Sequence, residues 1–219
     1  MTKQTGFTLL EMAVALVIIG LLLAGMLLPL SAQVDDRKNK ETKAMLDEIN
    51  QALLGFAISK GYLPCPAVSA ANGAEDRTGT ACNKQVGVIP WATLGVSQTD
   101  SWGRLFRYSV NAAYTDSGVG TKFTLTSTSN LRVLNATAGT AIATAVPAVI
   151  LSHGKNGYGA YLPDGAQIPS TGAGTDESTN ISATTDFVSH DFTPDFDDLV
   201  AWLSPNTLNN RMVAAGKLP

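Results

Sequence analysis

The chain has 219 residues, a formal net charge of −3 and 15% charged residues. A mildly acidic chain gives no reason to expect nucleic-acid binding, which usually needs a basic face, so no nucleic-acid partner is predicted. Beyond the first sixty residues about 160 remain, which is enough for one domain with its own core.

The stretch from Gly6 to Leu30 dominates the start of the chain. The 24 residues after Gly6 contain one ionisable side chain, Glu11. As a helix they would extend about 36 Å, enough to cross a hydrocarbon layer about 30 Å thick. Because a carboxylate is costly in lipid, Glu11 either reaches the headgroups or pairs with a cation. No Lys or Arg lies between Lys3 and Arg37, so the cation would come from lipid, another chain or a new amino terminus.

The hexapeptide G-F-T-L-L-E at 6–11, followed by about twenty apolar residues, resembles the class III signal sequence of type IV pilins and type II secretion pseudopilins. In those proteins a membrane peptidase cuts after the glycine and the new amino group of the aromatic residue is methylated. The glutamate then pairs with the amino terminus of a neighbouring subunit. The resemblance implies cleavage between Gly6 and Phe7, N-methylation of Phe7 and a role for Glu11 in subunit assembly. Pro29 stands one residue later than the proline that often interrupts this helix, which leaves the position of a kink open.

Two other interpretations of the apolar stretch stay open. It could be an ordinary secretory signal cut before Gln33, although its apolar core is longer than the 7–15 residues typical of such signals. The mature protein would then be a periplasmic enzyme released by signal cleavage, which would need a polar catalytic cluster that the sequence does not offer. The stretch could also be a single-span anchor that is never cleaved.

Residues 31–60 are predicted to continue the helix in an amphipathic form. Acidic and basic residues alternate from Asp35 to Glu48. One apolar stripe recurs at helical spacing, formed by Met45, Leu46, Ile49, Ala52, Leu53 and Phe56. The stripe predicts packing on the protein's own sheet, and Gly61 is expected to end the helix.

The two cysteines, Cys65 and Cys82, follow this helix. In an oxidising compartment they predict a disulfide that closes a loop of about 18 residues and contributes about 3 kcal/mol. Two unpaired thiols are the alternative. A zinc site is less favoured, because two cysteines without a nearby histidine do not complete a zinc ligand set.

Alternating and apolar runs predict strands in the middle of the chain. The turn Asp100-Ser101-Trp102-Gly103 leads into 104–110, where apolar and polar residues alternate. Residues 122–128 alternate in the same way, and 145–151 form a continuous apolar run with Pro147 near its start or at an edge. D-x-W-G before an alternating strand with tyrosine also resembles the start of the sheet in major pseudopilins.

The late part of the chain is predicted to contain loops and short helices. Residues 163–185 are expected to form a loose loop, and Asp197–Leu203 a short helix with acidic residues in its first turn. Ser204 and Pro205 predict the start of a last helix, which Gly216 ends.

Charge is distributed unevenly in this late part. No Lys or Arg lies between Lys155 and Arg211, whereas the same window contains eight acidic residues. If several converge, their repulsion would favour a hard, oxygen-binding cation. Major pseudopilins hold calcium in a comparable late loop, so the resemblance implies calcium, with candidate ligands Asp191, Asp195, Asp197 and Asp198. The alternative is that these acids are solvated or cap helices.

Catalytic motifs are absent from the sequence. Ser152 and His153 are neighbours on a predicted strand, so their side chains would point to opposite faces, and there is no G-x-S-x-G elbow. Gly154-Lys155 lacks the flanking residues of a phosphate loop, and neither H-E-x-x-H nor C-x-x-C occurs. We therefore expect no enzyme.

Together these features predict an α+β, pilin-like fold. Residues 1–6 would be a leader peptide, 7–30 a transmembrane and assembly helix, 31–60 its amphipathic continuation, and 61–219 a globular periplasmic α+β domain. We expect the long N-terminal helix to pack on a small antiparallel β-sheet that carries C-terminal loops and short helices.

The resemblance implies a pilin-like structural subunit of an inner-membrane-anchored filament. The filament would be the pseudopilus of a type II secretion system, or a type IV pilus in which this chain is a minor pilin. Expected partners are prepilin peptidase, other pilin or pseudopilin subunits through the N-terminal helix, an inner-membrane assembly platform and membrane lipid. The expected location is the inner membrane, single-pass, with the globular domain in the periplasm until extraction into the filament. The alternative is a single-span, membrane-anchored periplasmic binding module that does not assemble.

Overall fold

The computed structural model describes residues 6–119 and 122–218, with the backbone alone at 23–30. Most of the predicted leader, residues 1–5, therefore lies outside the described residues. The chain forms two compact units, Met1–Asn39 and Lys40–Pro219. The helices are α1 (Leu9–Lys60), α2 (Trp91–Leu94), α3 (Thr175–Ser182) and α4 (Pro205–Ala214). The strands are β1 (Arg77–Thr78), β2 (Ala81–Cys82), β3 (Val86–Val88), β4 (Arg107–Val110), β5 (Arg132–Leu134), β6 (Ala141–Ala143), β7 (Ala148–Ser152), β8 (Asp186–Val188) and β9 (Leu199–Leu203).

Helix α1 has 52 residues and continues through Pro29. It is rich in leucine, alanine and methionine, which are strong helix formers. It ends at Lys60, next to the glycine at which the sequence predicts its end. Gly61 adopts a left-handed φ of 86°, and its N–H donates to the carbonyl of Ala57 at 2.7 Å. A glycine in this conformation is the usual way to stop a helix.

Within Lys40–Pro219, α1 packs on the protein's own sheet, as the apolar stripe predicts. The buried face of the helix is rotated by about one residue from the stripe that the sequence predicts. Met45, Ala52 and Phe56 are only half-buried. Among the described residues of the helix, the buried apolar side chains are those of Leu46, Ile49, Leu53, Leu54 and Ala57, which share a core with strands β4, β7 and β9.

The main sheet has the strand order β3-β4-β7-β9, and all of its pairs are antiparallel. Tyr108 at the centre of β4 lies opposite Ile150 of β7, which in turn lies opposite Ala201 of β9. These three side chains face α1. The predicted strand at 104–110 is shorter than expected, and the predicted strand at 145–151 begins directly after Pro147.

A second sheet, absent from the predicted fold, covers the other face of the main sheet. Its order is β6-β5-β8, and β5 pairs with β8 in parallel, with Val133 opposite Phe187. Val149 and the half-buried Trp202 of the main sheet pack against Val133 and Phe187. Strands β7 and β9 of the main sheet therefore lie between α1 and the second sheet.

The predicted strand at 122–128 is wrong, because this segment forms a turn. Thr124 N–H donates to Ser127 Oγ at 2.9 Å, and Ser127 N–H donates back to the carbonyl of Thr124 at 3.0 Å. Hydroxyl side chains that bond the nearby backbone in this way compete with strand pairing. Phe123 packs inward against Tyr114, with ring centroids 5.1 Å apart, whereas Leu125, the next apolar residue of the pattern, is 47% exposed.

Two predictions for the late part of the chain are also wrong. Residues 163–185 contain α3, whose buried side chains are the polar Glu177 and Asn180, so no apolar periodicity marks the helix. Asp197–Leu203 contains strand β9 instead of a helix. Because β9 is packed on both faces, it gives a short continuous apolar run, and such a run does not distinguish strand from helix. Helix α4 begins at Pro205, as predicted, and it buries Leu208 and Met212.

The predicted disulfide between Cys65 and Cys82 is present, with an S–S distance of 2.01 Å. It ties the segment after α1 to the hairpin of β1 and β2. Reduction of the disulfide, or Cys65→Ser with Cys82→Ser, is expected to lower the free energy of unfolding by about 3 kcal/mol. Urea unfolding followed by tryptophan fluorescence measures the change. The control is the oxidised protein with both cysteines, unfolded in the same detergent solution. An unchanged urea midpoint in the reduced protein would contradict the prediction.

Candidate functional site

Thr8 and Glu11 form a reciprocal cap at the start of α1. Thr8 N–H and Oγ both donate to Glu11 Oε2, at 2.8 and 2.9 Å, and Glu11 N–H donates to Thr8 Oγ at 3.2 Å. The carbonyl of Thr8 accepts the first helical bond, from Met12 N–H. This is a capping box. The sequence signal of a capping box is Thr-x-x-Glu before an apolar run. The prediction that Glu11 acts in subunit assembly does not include this cap.

The first two turns of α1 and the residues after them expose apolar side chains. Phe7, directly after Gly6, is 85% exposed. At least half of each of the following side chains is exposed: Leu9, Leu10, Met12, Val14, Leu16, Val17, Ile18, Ile19, Leu21 and Leu22. A continuous apolar surface of this kind marks contact with another protein or with a membrane.

A second candidate site is a cluster of three acidic side chains, Glu177, Asp197 and Asp198. Glu177 lies in the first turn of α3, and the two aspartates immediately precede β9. One carboxylate oxygen from each residue lies within 4.8 Å of the others. Glu177 and Asp198 are buried and Asp197 is half-buried. Three carboxylates this close repel one another unless a proton or a cation neutralises them.

The cluster is held in position by amide groups. Asn156 donates twice, from its backbone N–H to Asp197 Oδ2 at 2.8 Å and from Nδ2 to Glu177 Oε1 at 2.7 Å. Asp197 N–H also donates to Glu177 Oε1, at 3.0 Å. Asn180 Nδ2 donates to Asp198 Oδ2 at 2.8 Å. These bonds fix one oxygen of each carboxylate and orient the other.

Two of the remaining oxygens are buried without a hydrogen-bond partner among the described residues. They are Glu177 Oε2 and Asp197 Oδ1. Burial raises the pKa of Asp197 to about 6, and the neighbouring Glu177 and Asp198 add to the rise. An unpartnered buried carboxylate oxygen is costly, and a hard cation such as calcium is coordinated by oxygens of this kind. The three carboxylates therefore fit a cation site.

The structure brings together two of the four predicted calcium ligands, Asp197 and Asp198. Asp191 and Asp195 are exposed and lie outside the cluster. The third carboxylate, Glu177, was not predicted as a ligand, because it stands twenty residues before Asp197 on a helix that the sequence did not reveal. The available signal is the pair of acidic residues at 176–177, two and three positions after Gly174, since acids favour the first turn of a helix.

Ser152 and His153 have roles inside the fold. Ser152 is buried, and its Oγ donates to Asp100 Oδ2 at 2.6 Å. His153 is 2% exposed, and its Nδ1 lies 3.5 Å from Asp198 Oδ1. The serine hydroxyl is thus bonded to a carboxylate in the core. The other oxygen of Asp100 accepts hydrogen bonds from the N–H groups of Trp102 and Arg104 in the adjacent turn.

Residues 1–27 match a family profile described as "Prokaryotic N-terminal methylation motif". No curated protein and no solved structure matches the chain. Among the described residues, no helix combines the length and apolar character required to cross a membrane. The motif implies a membrane-anchored structural subunit rather than an enzyme, with other pilin subunits and prepilin peptidase as partners. The chain therefore carries the N-terminal methylation motif that is the signature of type IV pilins and pseudopilins.

Proposed function

We propose that the chain is a pilin-like structural subunit of a filament anchored in the inner membrane. The observation that carries this proposal is the methylation motif at 1–27, together with apolar side chains that are exposed at Phe7 and along α1 from Leu9 to Leu22. Residues 1–6 are the leader, prepilin peptidase cuts between Gly6 and Phe7, and the new amino group of Phe7 is methylated.

The apolar residues stay out of water both before and after assembly. Before assembly, residues 7–30 lie in membrane lipid as a single span, and an inner-membrane assembly platform moves them into a bundle of equivalent helices. Both environments keep the apolar surface out of water. Glu11 then pairs with the amino group of Phe7 in a neighbouring subunit. A misplaced subunit would leave a buried charge unpaired, which is expensive, so the pair sets the register of the filament.

The globular part, 61–219, works in the periplasm and faces outward in the filament. The Cys65–Cys82 disulfide supports an oxidising compartment. Residues 31–60 connect it to the assembly helix. We place calcium at Glu177, Asp197 and Asp198, where two buried carboxylate oxygens have no partner among the described residues. When bound, the cation neutralises the cluster and fixes α3 to the start of β9.

The filament is the pseudopilus of a type II secretion system or a type IV pilus in which this chain is a minor pilin. The D-x-W-G turn and the cation site favour secretion. The competing function is a single-span, membrane-anchored binding module that does not assemble. In that case the charge of Glu11 would have no effect on the behaviour of the protein.

Leader processing is tested by intact mass and N-terminal sequencing of the protein from its native membrane. The expected start is methylated Phe7. Gly6→Val should block cleavage, whereas Gly20→Val should leave it intact. The two glycines are matched, because a Cβ added to either meets no atom of the chain within 4 Å. A start at Gln33 would contradict the proposal, since the apolar stretch would then be an ordinary export signal.

A further inference from the structure

The main sheet ends in two edge strands, β3 and β9, and their edges differ. At β3, the carbonyl of Val88 accepts a hydrogen bond from Ala67 N–H at 2.9 Å, so the segment after α1 covers that edge. Open strand edges are templates for pairing with another chain, and proteins protect them with charge, proline, bulges or a covering segment. Strand β9 has the sequence L-V-A-W-L, without charge or proline, and its register with β7 is regular.

Hydrogen-bond alternation identifies the backbone groups of β9 that face outward. Val110 N–H donates to the carbonyl of Gln85 on the β3 side of β4, and Asn111 N–H donates to the carbonyl of Pro147 on the β7 side, both at 2.9 Å. Alternate residues of an antiparallel strand bond to opposite neighbours. The odd-numbered residues of β7 therefore bond to β4, and its even-numbered residues bond to β9.

The outward groups of β9 are those of Val200 and Trp202. Ile150, an even-numbered residue of β7, is in register with Ala201, so Ala201 bonds to β7 and its two neighbours turn their N–H and C=O groups away from the sheet. Within 6–119 and 122–218, no hydrogen bond satisfies these four groups. Four open groups at strand spacing match the backbone of one more strand.

A groove of about 640 Å³ lies along this edge. Every residue from Asp198 to Trp202 lines it. Because successive side chains of a strand point to opposite faces, a groove lined by all of them runs along the edge of the strand and not over one face. Lys43, Leu46 and Asp47 of α1 line another wall. The groove beside β9 therefore lies where a further strand of the sheet would pair.

The lining favours an apolar segment with a basic end. Phe192 is 44% exposed, and Lys43 Nζ lies 5.6 Å from the centre of its ring. The carboxylates of Asp47 and Asp191 outnumber this ammonium group in the lining. A cationic side chain on an incoming segment would meet complementary charge.

From these observations we propose that β9 is a docking edge for an extended segment of another protein. The segment adds a fifth strand beside β9 and bonds through its backbone to Val200 and Trp202. It carries alternating apolar residues and ends in a lysine or arginine near Asp191. Docking does not depend on leader cleavage or filament assembly, because every residue that carries it lies in the unit Lys40–Pro219.

The test uses full-length protein in detergent micelles and a short fluorescent peptide of alternating threonine and valine with a lysine at each end. We expect saturable binding and slower amide hydrogen exchange at Val200 and Trp202 in the complex. Val200→Pro removes one outward donor and leaves the bonds to β7 in place, so it should weaken binding about fivefold to tenfold.

Asp191 and Asp195 provide a matched pair of charge variants. Both are exposed acids on the same loop, but only Asp191 lines the groove. Asp191→Asn should weaken binding about twofold to fivefold, and Asp195→Asn should leave it unchanged. Should Val200→Pro fail to fold, this pair and the exchange data decide the question.

Three results would overturn the proposal. The peptide does not bind, the two Asp→Asn variants weaken binding equally, or protection appears away from β9. Protection of Val200 and Trp202 in concentrated protein without peptide would also overturn it, because the occupant would then be a second copy of this chain. Failure of filament assembly would leave the expected peptide results unchanged, so the two proposals fail separately.

Discussion

A Glu11→Gln substitution is expected to lower filament assembly on the order of 100-fold or more while leaving the start of α1 intact. Removing one partner of a buried ion pair costs about 3–5 kcal/mol, because the remaining charge, here the amino group of Phe7, is left unpaired. Glutamine keeps an oxygen that can accept from Thr8 N–H and Oγ, which now donate to Glu11 Oε2. Filament yield from cells, normalised to processed subunit, measures the effect.

Thr8→Ala is the matched control for Glu11→Gln. It removes the hydroxyl from the capping box and keeps the carboxylate, so it should cost about 1 kcal/mol of helix stability and leave assembly close to that of the unmodified protein. Glu11→Ala removes both the cap and the charge. Assembly defects of equal size in Thr8→Ala and Glu11→Gln would assign Glu11 to helix capping and contradict charge pairing. Normal assembly by Glu11→Gln would favour the binding module that does not assemble.

The sequence was most informative where function fixes local residue order. Gly6, Phe7 and Glu11 stand in a set spacing ahead of an apolar run, and the family profile matches the same residues. Gly61 marks the end of α1 because only a residue that tolerates positive φ suits that position. Asp100 organises its turn through bonds to the N–H groups of Trp102 and Arg104, which are two and four residues away. All these signals are short in range.

Features that depend on distant partners could not be predicted in this way. The parallel pair of β5 and β8 joins residues that are 54 positions apart, such as Arg132 and Asp186. Glu177 becomes a candidate ligand only because folding brings α3 beside Asp197. Helix α3 itself buries polar residues, so its inner face carries no hydrophobic signal. Tertiary contacts, not local propensity, determine these elements.

Calcium is expected to raise the Tm of the protein by about 5–10 °C near neutral pH. A ligand at 100 times its Kd adds about 2.7 kcal/mol, and 1 kcal/mol shifts the Tm of a domain of this size by about 2–4 °C. Glu177→Gln should abolish the response, because it removes a carboxylate that supplies one unpartnered oxygen. Asp191→Asn should keep the response, because this exposed side chain lies outside the cluster.

The behaviour without calcium separates a cation site from an ordinary structural network. Asp197→Asn should lose the calcium response and yet be as stable as the unmodified protein in chelator, or more so. The amide keeps an acceptor for Asn156 N–H and removes the charge that Glu177 and Asp198 repel. A network that needed Asp197 only for hydrogen bonding would be destabilised in both conditions. Equal calcium responses in Asp197→Asn and the unmodified protein would contradict the site.

The pH dependence in chelator follows from the raised pKa of Asp197. Its pKa is about 6 in the folded protein against an ordinary value of 3.8, so folding favours the protonated form. The stabilisation from this proton is present at low pH and is lost as the pH rises through about 6. As the pH rises from 4 to 7, the Tm of the unmodified protein should therefore fall relative to the Tm of Asp197→Asn. Calcium replaces the lost proton, so its effect on Tm should be small near pH 5 and largest above pH 7. A calcium response that is independent of pH would contradict the role of Asp197 as a ligand.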